Sequence, residues 1–151
     1  MYLRAAALSL MLIAGIARAG VSGPGSFDNE DALYWAVECT SAKTVKPVAT
    51  ALGVAIRNKP IEASEGAEAV AAAELVAAAL GRPNPKLPSQ LRDWIKRQSL
   101  AQLAALAPDA QKALTRIADP EISELAQNWS QVQPNKWLES IVELQARLQQ
   151  Q

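Results

Sequence analysis

The chain predicts an all-α fold, a single compact bundle of six or seven short helices, and three observations carry that reading. Apolar residues recur at helical spacing in one segment after another. No window alternates with period two over a convincing length, and β-branched residues are scattered rather than clustered. Of 151 residues, 50% are hydrophobic and 20% charged, which suffices for one core and excludes a disordered tail, a fibre or a polytopic membrane protein.

Met1 to Ala19 reads as a signal peptide rather than as part of the bundle. Arg4 supplies a positive start, Ala5 to Ile16 is almost unbroken apolar sequence, and Ala17-Arg18-Ala19 matches a small-x-small cleavage site. The apolar run is about a dozen residues, short of the roughly 20 that cross a membrane. Cleavage after Ala19 is expected to leave residues 20–151 as a single helical domain, periplasmic or secreted, with no stable membrane anchor. The lone Cys39 permits no internal disulfide and reads as a buried, inert thiol.

Gly20 to Ser26, rich in glycine and serine, leads into the first helix, which starts where Asp28 or Asn29 can cap it and runs to about Ser41. Leu33, Ala36, Val37 and Thr40 form its expected apolar stripe. The second begins near Thr44, tolerates Pro47 in its first turn, buries Val48, Leu52, Ala55 and Ile56, and ends at Asn58-Lys59-Pro60. Ser64 to Leu80 is mostly alanine with valine and leucine, apolar nearly all round. It should therefore lie at the centre, with Gly81 ending it.

Gly81 to Pro88 is too rich in proline for helix and reads as a rigid connection. Ser89 is placed as the cap of a short helix carrying Leu91, Trp94 and Ile95. Leu100 to Ala107 adds a turn or two, and Pro108 opens a helix to about Ala118. Asp119-Pro120 is expected to start the helix of Ile122, Leu125, Ala126 and Trp129. Asn135 caps the last helix, where Trp137, Ile141, Leu144 and Leu148 recur on one face and Leu138 with Val142 widens it.

Fifteen basic and fifteen acidic side chains cancel, so there is no field to gather nucleic acid. Loss of Arg4 and Arg18 with the leader tips the remainder slightly acidic. The chain has no histidine, which removes every Ser/His or Cys/His nucleophile arrangement and the commonest metal ligand. No cofactor and no metal centre are expected.

The densest polar cluster is Phe27-Asp28-Asn29-Glu30-Asp31-Ala32. With Gly25, it resembles the Gly-x-Phe-Asp-Asn-Asp-x-Ala string of the bacterial family catalogued as domain of unknown function number 4259. The likeness continues through Ala71 to Ala78, Gly81-Arg82-Pro83, Leu87-Pro88 and Trp94, and is visible at Trp129 and Trp137-Leu138. Departures are Ser22-Gly23 where that family places Trp-Gly, Glu30 where it places Asp, and the leader itself. The resemblance implies the fold and the position of a site, and no chemistry.

Six residues are candidates for binding: Phe27, Asp28, Asn29, Asp31, Trp35 and Glu74. The first four are more simply read as a helix cap with a hydrophobic staple, which explains their spacing without a ligand. Trp35 falls off the expected stripe of its helix, whereas the other tryptophans read as core. Glu74 stands alone in an apolar helix, where a carboxylate must find a partner in Arg57, Arg82, Arg92 or the motif itself. Two functions follow. One is a non-enzymatic binding protein of the periplasm, of immunity or inhibitor type, whose partner is another protein. The alternative is a small carboxylate-dependent hydrolase or lyase using Asp28, Asp31 and Glu74.

Overall fold

The structure, a computed structural model, describes residues 23–149. The expected signal peptide, residues 1–19, lies outside the described residues. Among the described residues there are eight helices, in order α1 (Glu30–Thr40), α2 (Lys46–Arg57), α3 (Ala63–Ala79), α4 (Ser89–Lys96), α5 (Leu100–Ala104), α6 (Ala107–Ile117), α7 (Glu124–Ser130) and α8 (Lys136–Leu148). The spacing counts six or seven because α5 is a single short element that α6 follows after only two residues.

Among the described residues there is no β-strand, only one isolated parallel bridge between Ile61 and Ser123. That bridge corrects one helix start. Asp119 and Pro120 lie in a turn in which Asp119 Oδ1 accepts from the Glu121 amide, and α7 begins four residues later with Ser123 accepting from the Ala126 amide. Ser89 is likewise the first residue of α4 and not its cap, a place taken by Pro88.

α3 is the axis of the molecule and contacts each of the other seven helices. Residues 69–77 are buried without interruption. Its alanines let neighbouring backbones approach closely from all sides, as the composition predicts. At its end Gly81 takes φ 83°, and the amides of Gly81 and Arg82 donate to the carbonyls of Ala78 and Ala77. This closes the last turn in the left-handed manner that suits glycine.

Two expected stripes are corrected. In α1 the buried residues are Ala32, Trp35, Ala36 and Cys39, while Leu33, Tyr34 and Val37 face solvent. Both sets obey helical spacing, but a close approach to the alanine surface of α3 favours the small side chains, with Trp35 filling the remaining space. In α8 Trp137, Ile141, Leu144 and Leu148 are buried, whereas Leu138 and Val142 are exposed. In α2, Ala51 joins Val48, Leu52 and Ala55 in the core and Ile56 stays half-buried.

Candidate functional site

The six candidate residues separate into a lock at the start of α1, of which Asp28 is exposed and Glu74 buried, and an external cleft. The lock is built on the loop before α1. Asp28 folds back so that its Oδ2 accepts from the Gly25 amide at 2.8 Å, while its own amide donates to the Gly25 carbonyl. A Cβ on Gly25 would lie 2.5 Å from that carboxylate oxygen, so any side chain there would displace the Asp28 carboxylate from this bond. Asn29 caps α1, its Oδ1 accepting from the Ala32 amide at 2.8 Å. Phe27 is buried beside this turn, anchoring it to the core.

Glu74 completes the lock from the middle of α3, at 1% exposure. Its Oε1 accepts from Ser26 Oγ at 2.7 Å, from Asn84 Nδ2 at 3.0 Å and from Arg147 Nη2 at 3.0 Å, and its Oε2 accepts from Arg147 Nη1 at 2.9 Å. The arginine is thus Arg147 of α8, not Arg57, Arg82 or Arg92. Glu74 meets the motif segment through the Ser26 hydroxyl rather than through Asp28 or Asp31. Burial opposes the charge of Arg147, but its hydrogen bonds to Glu74 and Glu143 outweigh that and hold its pKa above the ordinary guanidinium value. The bidentate pair binds the centre of α3 to the last helix, and Arg82 extends the tie by donating to the Arg147 carbonyl.

The cleft arises from helix packing. α1 and α2 each lie along α3 but scarcely touch one another, leaving an open depression of about 430 Å³ between them. Its lining includes Trp35 and Glu38 from α1, Lys46, Thr50 and Val54 from α2, and Glu68 from α3. Ala42, at its end, is held by Trp94, whose Nε1 donates to the Ala42 carbonyl at 2.9 Å. Glu68 is half-buried, and its pKa is raised by desolvation and then by the charges of Asp31, Glu38 and Glu65. Asp31 therefore belongs electrostatically to the cleft and not to the lock.

Trp35 forms a wall of the cleft although its side chain is buried, as are those of Trp94, Trp129 and Trp137. The last two stack with ring centroids 6.5 Å apart beneath the loop that carries the motif. Beside the cleft, Tyr34 is 70% exposed and Leu33 and Val37 flank it on the same face of α1. Sequence reasoning missed Glu38 and Glu68 because it placed Trp35 off the buried stripe. Taking Ala32, Trp35, Ala36 and Cys39 as the inner face would have turned Tyr34 outward and put Glu38 at its border.

Among the described residues no group of three His, Cys, Asp or Glu side chains is arranged to hold a metal ion, and no helix is long and apolar enough to cross a membrane. A family model described as domain of unknown function (DUF4259) matches residues 20–140. No curated protein and no solved structure matches the chain.

Proposed function

The chain belongs to the DUF4259 family, and from that premise we propose that it is an exported, non-enzymatic protein-binding module of the cell envelope, of immunity or inhibitor type. The observation that carries this reading is the exposed apolar face of α1. Leu33, Tyr34 and Val37 are left in solvent on a helix that could have buried two of them, and an exposed tyrosine between aliphatic side chains is the composition of a contact centre. The cleft beside it adds concave shape and charge, which favour specificity.

Export rests on the leader: the positive start, the apolar run and the Ala17-Arg18-Ala19 site. The Gly25 to Ala32 string is read as the family's signature because its residues have demanding local work. Gly25 makes room for Asp28, Asn29 caps the helix, Phe27 is anchored in the core, and Ala32 is fully buried. A reaction centre of Asp28, Asp31 and Glu74 finds no support, since Glu74 is enclosed by an arginine, a serine and an asparagine while Asp28 is turned toward Gly25.

Fractionation with N-terminal sequencing tests export, with Gly20 the expected first residue in the envelope fraction. A photo-crosslinking side chain at position 34 tests binding. A discrete adduct should form in envelope extracts and vanish when excess native protein competes. The captured protein, purified, should bind the native chain and lose binding to Tyr34→Ser. The reading fails if position 34 yields no adduct that a crosslinker at the remote, exposed Glu121 does not also yield.

A further inference from the structure

We propose that the cleft between α1 and α2 receives a lysine or arginine side chain from the docked partner, so that the segment recognised is at once basic and apolar. This rests on the protein-binding reading above and specifies its ligand. Shape comes first. α1 and α2 diverge across α3 and leave about 430 Å³ open to solvent, within the range of sites that enclose a ligand group.

The apolar face and the cleft are one continuous surface. Tyr34 precedes Glu38 by one helical turn, so the phenol and the carboxylate are neighbours on α1, with Leu33 and Val37 beyond the phenol. A partner lying across Tyr34 therefore has the cleft within reach of its next side chain.

The charge supplies the complement. Glu38 and Glu68 line the cleft from two helices, and Asp31 and Glu65 add to the same field. Lys46 is the single opposing charge in the lining. Among the described residues, none of Asp31, Glu38 and Glu68 belongs to an ion pair within 4.0 Å. Burial raises the Glu68 pKa first and the neighbouring acids raise it further, and an incoming cation would offset that second contribution. Trp35 lines the same cleft while remaining almost wholly buried, which gives the cleft a fixed apolar side.

The test uses the mature chain and a synthetic amphipathic helix of leucine and lysine as probe, with its glutamate counterpart and spermidine as comparisons. The lysine peptide should bind with salt-sensitive affinity, and the glutamate peptide should not. Glu38→Gln with Glu68→Gln should weaken binding by about tenfold or more, as loss of a partly desolvated charge contact does. Tyr34→Ser should weaken it similarly, whereas Val142→Ser on the separate apolar face of α8 should leave it unchanged. Amide shifts in NMR spectra should centre on α1, α2 and the first half of α3.

Undiminished binding by the double variant, equal binding of the glutamate peptide, or shifts centred on α8 overturns the inference. Full displacement by spermidine also does, since the cleft would then take a free polyamine. Circular dichroism checks that both variants fold. If the position 34 adduct persists while the lysine peptide is ignored, the cationic specificity falls and protein binding stands. If the peptide binds in the cleft but no protein adduct forms, the reverse holds.

Discussion

Arg147 holds Glu74 through two hydrogen bonds, and the carboxylate has almost no water to fall back on. Removing one partner of such a pair leaves an uncompensated charge in the core, so Arg147→Ala should cost about 3–5 kcal/mol of stability. Replacing both members, Glu74→Leu with Arg147→Met, should cost clearly less, because no buried charge then remains, although Ser26 and Asn84 lose their acceptor. Urea unfolding midpoints of the two variants check the order, and the reverse order would show that packing of the Arg147 stem dominates. Cys39 gives a second prediction at this scale. Burial pushes its thiol up to about 12, so the native protein should resist alkylation by iodoacetamide at pH 8 while the urea-unfolded chain reacts readily. Mass spectrometry of the adduct reads the difference. The burial of Cys39 agrees with the sequence reading, but the partner of Glu74 is not legible there. Arg147 lies 73 residues away, and nothing local to α3 distinguishes it from nearer arginines.

At the level of the helix, caps and turns follow from local sequence more surely than faces do. Asn29 and Asn135 cap where the spacing places a cap, and Gly81 closes α3. The start of α7 is misplaced because Asp119-Pro120 satisfies a turn as well as it does a helix, and the Ile61 bridge decides between them. The face of α1 is decided by its neighbour. Leu33 and Val37 are the stronger hydrophobes, yet the close surface of α3 selects Ala32, Ala36 and Cys39, and the outward residues become the candidate contact surface. The cleft was therefore illegible even though each of its acids was visible. Its electrostatics can be measured. Burial raises the Glu68 carboxyl first, and Asp31 and Glu38 of α1 and Glu65 of its own helix raise it further, with Lys46 of α2 the opposing charge in the cleft lining. A carboxyl whose folded pKa is raised binds its proton more tightly when folded than when unfolded. The resulting destabilisation is absent below the ordinary carboxylate range, grows as pH rises through the raised value, and is complete above it. Glu68→Gln should accordingly raise the melting temperature at pH 7, and the gain should shrink toward zero near pH 4. A gain that is constant with pH would assign the effect to packing rather than charge.

Across the whole molecule, one alanine-surfaced helix organises seven others, and this makes the fold legible when the cleft is not. A helix without a polar face must be surrounded, so composition alone places α3 at the centre. Composition does not say at what angle each neighbour crosses it, and the gap between α1 and α2 is a matter of those angles. The same architecture predicts an unusual response to added hydrophobicity. Ala72 has no solvent exposure and sits in the stretch where neighbouring helices close in from several sides. Leucine has almost the helix propensity of alanine and greater apolar area, so intrinsic terms favour Ala72→Leu or leave it neutral. The space is already filled by close-packed side chains, however, and the extra methylenes must displace helix against helix, at about 1–3 kcal/mol. Ala49→Leu on the exposed side of α2 should stay within about 0.5 kcal/mol of the native chain. Denaturant unfolding of both variants separates the cases. A stable Ala72→Leu protein would mean that the helices around α3 are loosely held, and the cleft between α1 and α2 would then be a variable gap rather than a fixed feature of the fold.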